Sequence, residues 1–370
     1  MDPMKRHDVC VRGAGIVGRS LALSLARLGL RVALVAEPAA PARPDVRAYA
    51  LNAASVDLLR GLKVWDALPA HAATAVHEMH VEGDATGVIE FSAWQQQVAE
   101  LAWITDAALL EQALEAAVRY APHVTVVGAP VEADLTAVCE GKASAGRDEL
   151  GVVFERQDYG HRAIAARLST TEDHRHVARQ WFRSPDILAL LPFDAPSPGR
   201  GYALVWSLPE ARAQELLALD PATFEAALNE ATQGDAGVLA LTGERASWPL
   251  MIARANAWSG PGWVLLGDAA HVVHPLSGQG LNLGLADVAA LTQVISTRES
   301  WRPVGDARLL RRYERARDLP TRAMGRLTDG LLHLFAGPQA PLRELRNRGM
   351  GLVNQLPPLK RWLTARALDF

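Results

Sequence analysis

The chain has 370 residues, of which 49% are hydrophobic and 21% are charged. This length is enough for two domains or for one large domain with an insertion. This composition excludes wholesale disorder, and a net charge of −3 argues against nucleic acid as the main partner. Two cysteines, Cys10 and Cys139, cannot form a disulfide framework. There is no apolar run of membrane-spanning length, and the first eight residues are too short and polar for a signal peptide. The sequence therefore predicts a cytoplasmic protein.

The first 35 residues have the pattern of a strand, a glycine turn, a helix and a second strand. The turn is GAGIVG, in which Gly13 permits a tight bend, Gly15 lets the backbone approach a pyrophosphate, and Gly18 lets the helix pack on the strand. The motif indicates a dinucleotide whose pyrophosphate binds at the helix N-terminus. A glycine turn in an α/β unit that binds no phosphate is the alternative.

The next part of the chain predicts a second α/β segment and then a sheet. Helices are predicted over 52–62 and 106–120, with a hairpin over 79–91 whose turn is GDATG. Short strands follow at 124–127, 151–155, 178–182, 187–191 and 202–207. A helical stretch is predicted over 208–233 and a helix over 281–295. The middle of the chain therefore predicts a mostly antiparallel sheet.

A second motif, GDAAHVVHPLSGQGLNLG at 267–284, follows the predicted strand WVLL. Asp268 leaves a buried strand, Pro275 redirects the chain, and Gly278 and Gly280 open a helix. A carboxylate at a strand end beside several glycines implies close approach of the backbone to a ligand. The N-terminus of the following helix would direct its positive end toward that ligand.

The histidines and tryptophans are the remaining candidates for metal ligands and pocket residues. His271 and His274 have no third ligand nearby in sequence, and no Cys/His cluster has zinc-ligand spacing, so no metal site is predicted. Trp181 and Trp206 are candidates for lining a pocket in the middle sheet. Most of the other tryptophans are assigned to the core.

Together the motifs resemble a class A flavoprotein aromatic hydroxylase of the para-hydroxybenzoate hydroxylase fold. The matching pieces are GAGIVG, VRAYALN at 46–52, CEGKAS at 139–144 and the 267–284 motif. The resemblance is closest to the ubiquinone-biosynthesis branch, through RAYALNAASVDLLRGLKVWDAL, ELAWI, LVWSLP and TDGLLHLF, and covers nearly the whole chain.

The resemblance implies an α/β fold (α+β overall). Its parts are a Rossmann-like FAD-binding domain, an inserted antiparallel β-sheet substrate domain and a helical C-terminal region. The predicted boundaries are 1–75, 101–147 and 258–325 for the FAD-binding domain, 76–100 and 148–257 for the substrate domain, and 326–370 for the C-terminal helices.

The resemblance also implies the reaction. The family hydroxylates aromatic rings with NAD(P)H and oxygen through a flavin 4a-hydroperoxide, so no side chain need be a nucleophile. The expected substrate is a polyprenylated phenol on the route to ubiquinone. Another soluble aromatic compound is the alternative substrate. A flavin-poor scaffold in a quinone-biosynthesis assembly is the alternative of a different class.

Carried over to this chain, the family motifs imply a set of FAD contacts. The glycine turn receives the pyrophosphate, and Arg47 approaches the cofactor. Asp268 binds a ribityl hydroxyl, Pro275 lies beside the isoalloxazine, and the backbone from 278 to 282 faces its pyrimidine end. The predicted cofactor-binding residues are Gly13, Gly15, Gly18, Arg47, Glu140, Gly141, Asp268, Pro275, Gly278, Gly280, Leu281 and Asn282.

Three positions depart from the family pattern. Ala36 stands where the second strand should end in an acid that binds ribose. Ala108 replaces a residue that is often basic or an amide, and Glu140 replaces the aspartate of an Asp–Gly motif. These departures predict that FAD is held weakly.

The C-terminal part of the chain is basic. From Trp301 to Phe370 there are 14 Lys or Arg residues against 6 Asp or Glu, although the whole chain is acidic. A helical face with flanking basic residues is predicted at Leu359, Lys360, Arg361, Trp362, Leu363, Arg366 and Ala367. This pattern predicts docking on the inner face of the cell membrane or on quinone-biosynthesis proteins. A solvated helical cap is the alternative.

Overall fold

The computed structural model describes residues 7–36, 45–83, 87–273 and 279–336, with side chains described as far as residue 323. The strands in chain order are β1 (His7–Arg12), β2 (Val32–Val35), β3 (Ala48–Leu51), β4 (Ala73–Val76), β5 (Glu78–Glu82), β6 (Val88–Ser92), β7 (Ala102–Asp106), β8 (Val124–Val127), β9 (Ala133–Val138), β10 (Phe154–Thr170), β11 (Val177–Arg183), β12 (Asp186–Pro192), β13 (Gly201–Pro209), β14 (Leu239–Leu241), β15 (Ala246–Ala255), β16 (Ser259–Gly260), β17 (Trp263–Leu265) and β18 (His271–Val272). The helices are α1 (Ile16–Arg27), α2 (Ala53–Gly61), α3 (Ala93–Gln96), α4 (Ala107–Arg119), α5 (Ala145–Glu149), α6 (Glu210–Ala218), α7 (Pro221–Thr232), α8 (Gly280–Ser296) and α9 (Ala307–Ala336).

The first sheet has six strands in the order β16-β17-β9-β1-β2-β8, and all but the short β16 run parallel. Its central strands β1, β2 and β9 bury short apolar stretches such as Val9–Val11 and Val32–Leu34, as expected for a sheet covered on both faces. The helices α1, α4 and α8 contribute apolar side chains to the same core. This is a Rossmann-like unit, as predicted.

The second sheet has nine strands, in the order β18-β15-β10-β13-β12-β11-β5-β6, with β14 also paired to β10. It is antiparallel except where β11 pairs with β5. The helices α6 and α7 pack on one of its faces and bury a core that includes Phe224 and Leu228. The hairpin predicted over 79–91 is confirmed by the antiparallel pair β5 and β6.

Two predicted elements in this part of the chain were wrong in extent. The strand predicted at 151–155 is the beginning of β10, which continues for 17 residues to Thr170. Gly160 made this segment look like a turn, but it lies at a β-bulge with φ of +62°, and the strand pairs with β15 on both sides of it. The helical stretch predicted over 208–233 is two helices, α6 and α7.

A small antiparallel sheet in the order β3-β7-β4 lies beside the first two. The helix predicted over 52–62 is confirmed as α2, whose N-cap Asn52 accepts a hydrogen bond from the Ser55 amide. The helix predicted over 106–120 is confirmed as α4, which Asp106 caps in the same way through the Leu109 amide.

The predicted fold class, an α/β unit with a second, largely antiparallel sheet, is confirmed by this architecture. The domain boundaries stay predictions. β18, which lies in a segment assigned to the FAD-binding domain, joins the second sheet through β15. α9 runs across the boundary predicted between 325 and 326, and the residues predicted to form the C-terminal amphipathic face lie outside the described part of the chain.

Candidate functional site

Three neighbouring parallel strands, β1, β9 and β17, end in register at one edge of the first sheet. Their last paired residues are Arg12, Val138 and Leu265. The glycine turn follows β1, Glu140 follows β9, and Asp268 follows β17. The fold therefore brings three sequence motifs to the carboxyl edge of one sheet, which is where open α/β sheets bind their ligands.

Two of the three glycines of the turn lie in close contacts that leave no room for a side chain. Gly13 has φ of +100°, and a Cβ there would lie 2.5 Å from the carbonyl oxygen of Cys139. A Cβ on Gly18 would overlap the carbonyl oxygen of Gly13. A Cβ on Gly15, in contrast, would meet nothing within 4 Å, so this residue borders open space. Helix α1 begins there without a capping side chain or an acid in its first turn, which leaves its amides available to an anion.

Helix α8 and the loop after β17 pack directly on the first turn of α1. A Cβ on Gly267 would lie 3.3 Å from Cγ2 of Val17, and a Cβ on Gly284 would lie 2.7 Å from the same atom. The first turn of α8 also contains no acid, and Gln279 makes no capping bond to it. Two helix N-termini and the strand-end loop therefore surround one region.

Asp268 is the only carboxylate among the predicted cofactor residues that makes no hydrogen bond or ion pair within the described residues. It is half-buried, and burial raises its pKa, although the charges of Lys142, His271 and Arg47 oppose the rise. A partly desolvated carboxylate without a donor is costly for the protein alone. A ligand hydroxyl would supply the missing donor, so the residues present fit the ribityl contact predicted for Asp268.

Arg47 lies near Asp268 but is anchored on the protein. Its guanidinium donates to Asp45 at 2.9 and 2.6 Å and lies 3.6 Å from Glu111. The hydrogen bond to Asp45 raises the pKa of Arg47, so its charge is fixed. Burial raises the pKa of the neighbouring Tyr49 to about 12, which keeps that hydroxyl protonated. Arg47 therefore holds a permanent positive charge at the edge of the candidate site.

Glu140 turns back into the protein. Its carboxylate accepts hydrogen bonds from Arg12 Nε at 2.8 Å, Ser144 Oγ at 2.8 Å and the Gly146 amide at 2.7 Å. Gly141, which follows it, has φ of +79°. These three donors, all within the protein, satisfy the hydrogen-bonding capacity of the longer Glu140 side chain. Arg12 was not predicted from the sequence, since a basic residue at a strand end has no motif of its own.

Asn282 joins two of the sequence motifs through its side chain. Its Oδ1 accepts hydrogen bonds from the Asn52 amide at 3.1 Å and from Ser55 Oγ at 2.8 Å, and its Nδ2 donates to the Ala50 carbonyl at 2.8 Å. The first turn of α8 is thereby fixed to the RAYALN segment. Leu281 beside it packs partly against the core. Pro275 and Gly278 lie outside the described residues.

The family model described as FAD binding domain matches residues 6–127 and 107–328. These two segments include the glycine turn, the Glu140–Gly141 pair and the Asp268 loop. The chain belongs to this FAD-binding family. The predicted family and the predicted FAD cofactor are confirmed, and the site described above is the candidate FAD site of this flavoprotein.

Several relatives of this flavoprotein carry names from ubiquinone biosynthesis. It is 30% identical to the 3-demethoxyubiquinol 3-hydroxylase of Escherichia coli, with 98% of each chain covered. It is 29% identical to the ubiquinone hydroxylase UbiL of Rhodospirillum rubrum, over 98% of this chain and 90% of that protein. It is also 29% identical to the ubiquinone biosynthesis monooxygenase COQ6 of Drosophila melanogaster, over 96% of this chain and 88% of that protein. The predicted resemblance to this branch, and the predicted class of FAD-dependent aromatic hydroxylase, are confirmed.

Solved structures support the same fold. The probable FAD-dependent monooxygenase PqsL of Pseudomonas aeruginosa superposes with a TM-score of 0.76 at 20% identity, covering 94% of this chain and all of that one. The p-nitrophenol 4-monooxygenase PnpA of Pseudomonas putida gives a TM-score of 0.76 at 15% identity, with 98% of each chain covered.

A buried charged cluster behind the candidate FAD site was missed in the sequence. Asp287 on α8 is fully buried and accepts hydrogen bonds from His271 Nε2 and Arg317 Nε, both at 2.7 Å, and from the Gly267 amide at 2.9 Å. Burial favours the neutral form of Asp287. His271 and Arg317 outweigh this effect through their charges and their hydrogen bonds, and together they hold the pKa of Asp287 below the usual range. An aspartate within the apolar helix sequence LNLGLADVAAL was the available signal.

The pocket role expected for Trp181 and Trp206 is replaced by a packing role. Both are 1% exposed and belong to the core between the second sheet and helices α6 and α7. The ring of Trp206 lies 6.1 Å from that of Phe224 on α7. Alternation along the strands places these two side chains on the helix-covered face, and a sequence cannot show which face helices will cover.

The described residues hold neither a metal-binding cluster nor a membrane-spanning helix. In that part of the chain, no three His, Cys, Asp or Glu side chains are grouped so that they could hold a metal ion. None of the described helices is both long and apolar enough to span a bilayer.

Proposed function

We propose that this flavoprotein hydroxylates the aromatic ring of a polyprenylated phenol in ubiquinone biosynthesis, with NAD(P)H as co-substrate. The observation that carries the proposal is the Asp268 carboxylate, which has no partner among the described residues and lies beside the N-termini of α1 and α8 at the ends of β1, β9 and β17. That arrangement lies in a chain whose full-length relatives are named as ubiquinone hydroxylases.

The residues of the site have distinct tasks in binding FAD. Gly13, Gly15 and Gly18 let the backbone reach the pyrophosphate, and the amides of α1 donate to it. Asp268 would accept a hydrogen bond from the ribityl chain. The first turn of α8, held in place by Asn282, favours negative charge on the flavin ring. Bound FAD supplies the redox chemistry that activates oxygen.

The second sheet offers a face for the substrate that the sequence did not reveal. Val205 on β13 lies opposite Ala189 on β12, and Trp248 on β15 shares their face. All three are partly exposed and lie on the side away from Trp206 and the helices. A small, apolar surface of this kind suits a phenol ring and excludes water from the reaction.

A polyprenylated substrate also needs a route from the bilayer, because its chain is insoluble in water. We propose that the protein acts at the inner face of the cell membrane or with quinone-biosynthesis proteins. The sequence from Leu359 to Ala367 supports this through its apolar face and basic flanks.

The test is direct assay of the purified chain. After reconstitution with FAD, it should oxidise NAD(P)H in the presence of a short-chain prenylated phenol and release a product heavier by one oxygen atom. A strain lacking the protein should accumulate a quinone precursor that lacks one ring hydroxyl. Loaded protein that oxidises NAD(P)H without hydroxylating any phenol, together with an unchanged quinone profile in that strain, would exclude this function.

A further inference from the structure

Helix α9 carries a line of exposed arginines on its outer face. Arg308, Arg311, Arg315 and Arg322 are all exposed, and Leu319 among them is 74% exposed. Spacings of three and four residues place these five side chains within an arc of roughly 80° over about 21 Å of helix. We call this set the α9 arginine stripe.

Of the two acids of α9 whose side chains are described, one faces other parts of the protein and the other pairs with a single stripe residue. Glu314 accepts hydrogen bonds from the Trp258 amide and from Ser259 Oγ. Asp318 pairs with Arg254 on the second sheet and with Arg322. Asp318 therefore lies beside one end of the stripe. At the other end, Asp306 accepts a hydrogen bond from the Arg308 backbone amide at 3.0 Å, and its carboxylate pairs with Arg302 rather than with a stripe guanidinium.

The basic residues on the sides of α9 that face the protein are paired in a different way from those of the stripe. Arg317 bonds the buried Asp287, and Arg312 bonds Glu299 at 2.6 Å. Carboxylates neutralise these guanidinium groups. In the described part of α9, the arginines on the protein-facing sides are therefore paired, whereas most of those on its outer face are not.

Three stripe residues have no acidic partner within the described residues. Arg311 Nε donates only to the Ala307 carbonyl and Arg315 Nε only to the Arg311 carbonyl, both in their own helix. The side chain of Arg308 makes no hydrogen bond or ion pair there. The neighbouring helix α8 contributes no opposing surface charge, since its one acid, Asp287, is buried. The guanidinium groups of these three arginines thus pair with no carboxylate in the part of the chain that the structure describes.

We propose that the α9 arginine stripe docks this protein on an anionic lipid bilayer. Uncompensated arginines match the negative charge of lipid headgroups, and the exposed Leu319 between Arg315 and Arg322 matches the boundary with the acyl chains. The rest of the chain is acidic and is repelled by the anionic bilayer. The electrostatic field of the bilayer therefore orients the protein with α9 toward the membrane. The proposal rests on the proposed function, because a polyprenylated substrate resides in the membrane.

The experiment is sedimentation or flotation of the full, FAD-loaded chain with vesicles, without substrate. One set contains phosphatidylglycerol and phosphatidylcholine, and the other contains phosphatidylcholine alone. We expect binding to the anionic set only, weakened by added salt. Each arginine near an anionic surface contributes about fivefold to partitioning, so R308Q/R311Q/R315Q should bind about a hundredfold more weakly.

A matched variant removes equal charge elsewhere. R27Q/R119Q/R200Q changes three exposed arginines outside α9 and should bind as wild type. A third variant, K360Q/R361Q/R366Q, tests the C-terminal segment. Circular dichroism should show the same fold in all of them.

The proposal would be overturned if the wild-type chain did not bind anionic vesicles. It would also be overturned if the stripe and matched variants lost vesicle binding equally, or if only the C-terminal variant lost it. A stripe that is needed for binding RNA or a purified protein but not vesicles would also overturn it. Because binding is measured without substrate, a chain that docks on vesicles yet hydroxylates no phenol supports the stripe and contradicts only the proposed function.

Discussion

The backbone amide of Gly267 donates a 2.9 Å hydrogen bond to the buried carboxylate of Asp287, a residue twenty positions further along the chain. Gly267 immediately precedes Asp268, so a side chain on α8 fixes the loop that presents the proposed ribityl ligand. The same carboxylate binds His271 and Arg317. Asp287 thus positions the loop of the candidate FAD site and also binds the buried side chains of His271 and Arg317.

The variant Asp287→Asn tests this relationship. Losing the carboxylate leaves Arg317 buried without its counter-charge, so we expect the free energy of unfolding to fall by about 3–5 kcal/mol. Urea unfolding measures this change. Asp57→Asn, at an exposed carboxylate paired with Arg60, is the matched control and should cost less than about 1 kcal/mol. Equal stability of the two variants would contradict the assignment.

The variant Asp268→Ala should separate FAD binding from folding. Since Asp268 has no partner among the described residues, its removal should leave the stability of the apo protein unchanged or raise it. A lost charge-assisted hydrogen bond should weaken FAD binding by about ten- to a hundredfold. Fluorescence titration of the apo protein with FAD measures the affinity, and Asp268→Asn, which keeps an acceptor, should lose less. Unchanged affinity in a folded Asp268→Ala protein would refute the ribityl contact.

The parts of the fold that the sequence predicted were those with local signals. The glycine turn, α2, α4 and α8 each have a glycine, a capping residue or apolar spacing that marks them. The long strand β10 has no such local mark. Its first half is polar and contains Gly160, so its continuity depends on pairing with β13 and β15.

The sequence predicted the backbone motifs of the candidate site. It did not predict the buried polar contacts that hold the site in place. Gly13 and Asp268 follow from motifs, because a turn and a strand end are local features. Asp287 and Arg317 lie thirty residues apart and meet only because α8 packs on α9. Glu140 turns back into the protein because Arg12, at the end of another strand, donates to it, and the sequence does not show that these two side chains meet.

His174 makes stability depend on pH. It is 2% exposed, its Nδ1 accepts a hydrogen bond from the His176 amide at 3.0 Å, and its Nε2 lies 3.2 Å from Asp194 Oδ1. The neutral ring with its proton on Nε2 satisfies both contacts, whereas a second proton on Nδ1 would displace the amide. Burial lowers the pKa of His174, although Asp194 opposes the change.

The sign of the pH effect follows from that lowered pKa. Below the unfolded pKa of 6.5 the unfolded chain binds a proton that the folded chain does not, so stability is lost as pH falls. At one unit below that value the loss is about 1.4 kcal/mol at most. Urea unfolding at several pH values should show a steeper decline in wild type than in His174→Gln, with the exposed His71→Gln as control. Parallel profiles in wild type and His174→Gln would contradict this origin.

The last prediction concerns how firmly FAD is held. Ala36 offers no carboxylate to the ribose, Ala108 offers no polar group, and Glu140 is turned toward Arg12, Ser144 and Gly146. If each absent contact costs about 1 kcal/mol, binding is weaker by about a hundredfold. We therefore expect the purified chain to lose FAD on extensive dialysis, measured by flavin absorbance relative to protein. Ala36→Glu combined with Glu140→Asp should raise the retained fraction, whereas Ala116→Glu on the exposed side of α4 should not. Stoichiometric FAD in dialysed wild-type protein would mean that the α1 and α8 N-termini and Asp268 suffice for tight binding without an acid at position 36.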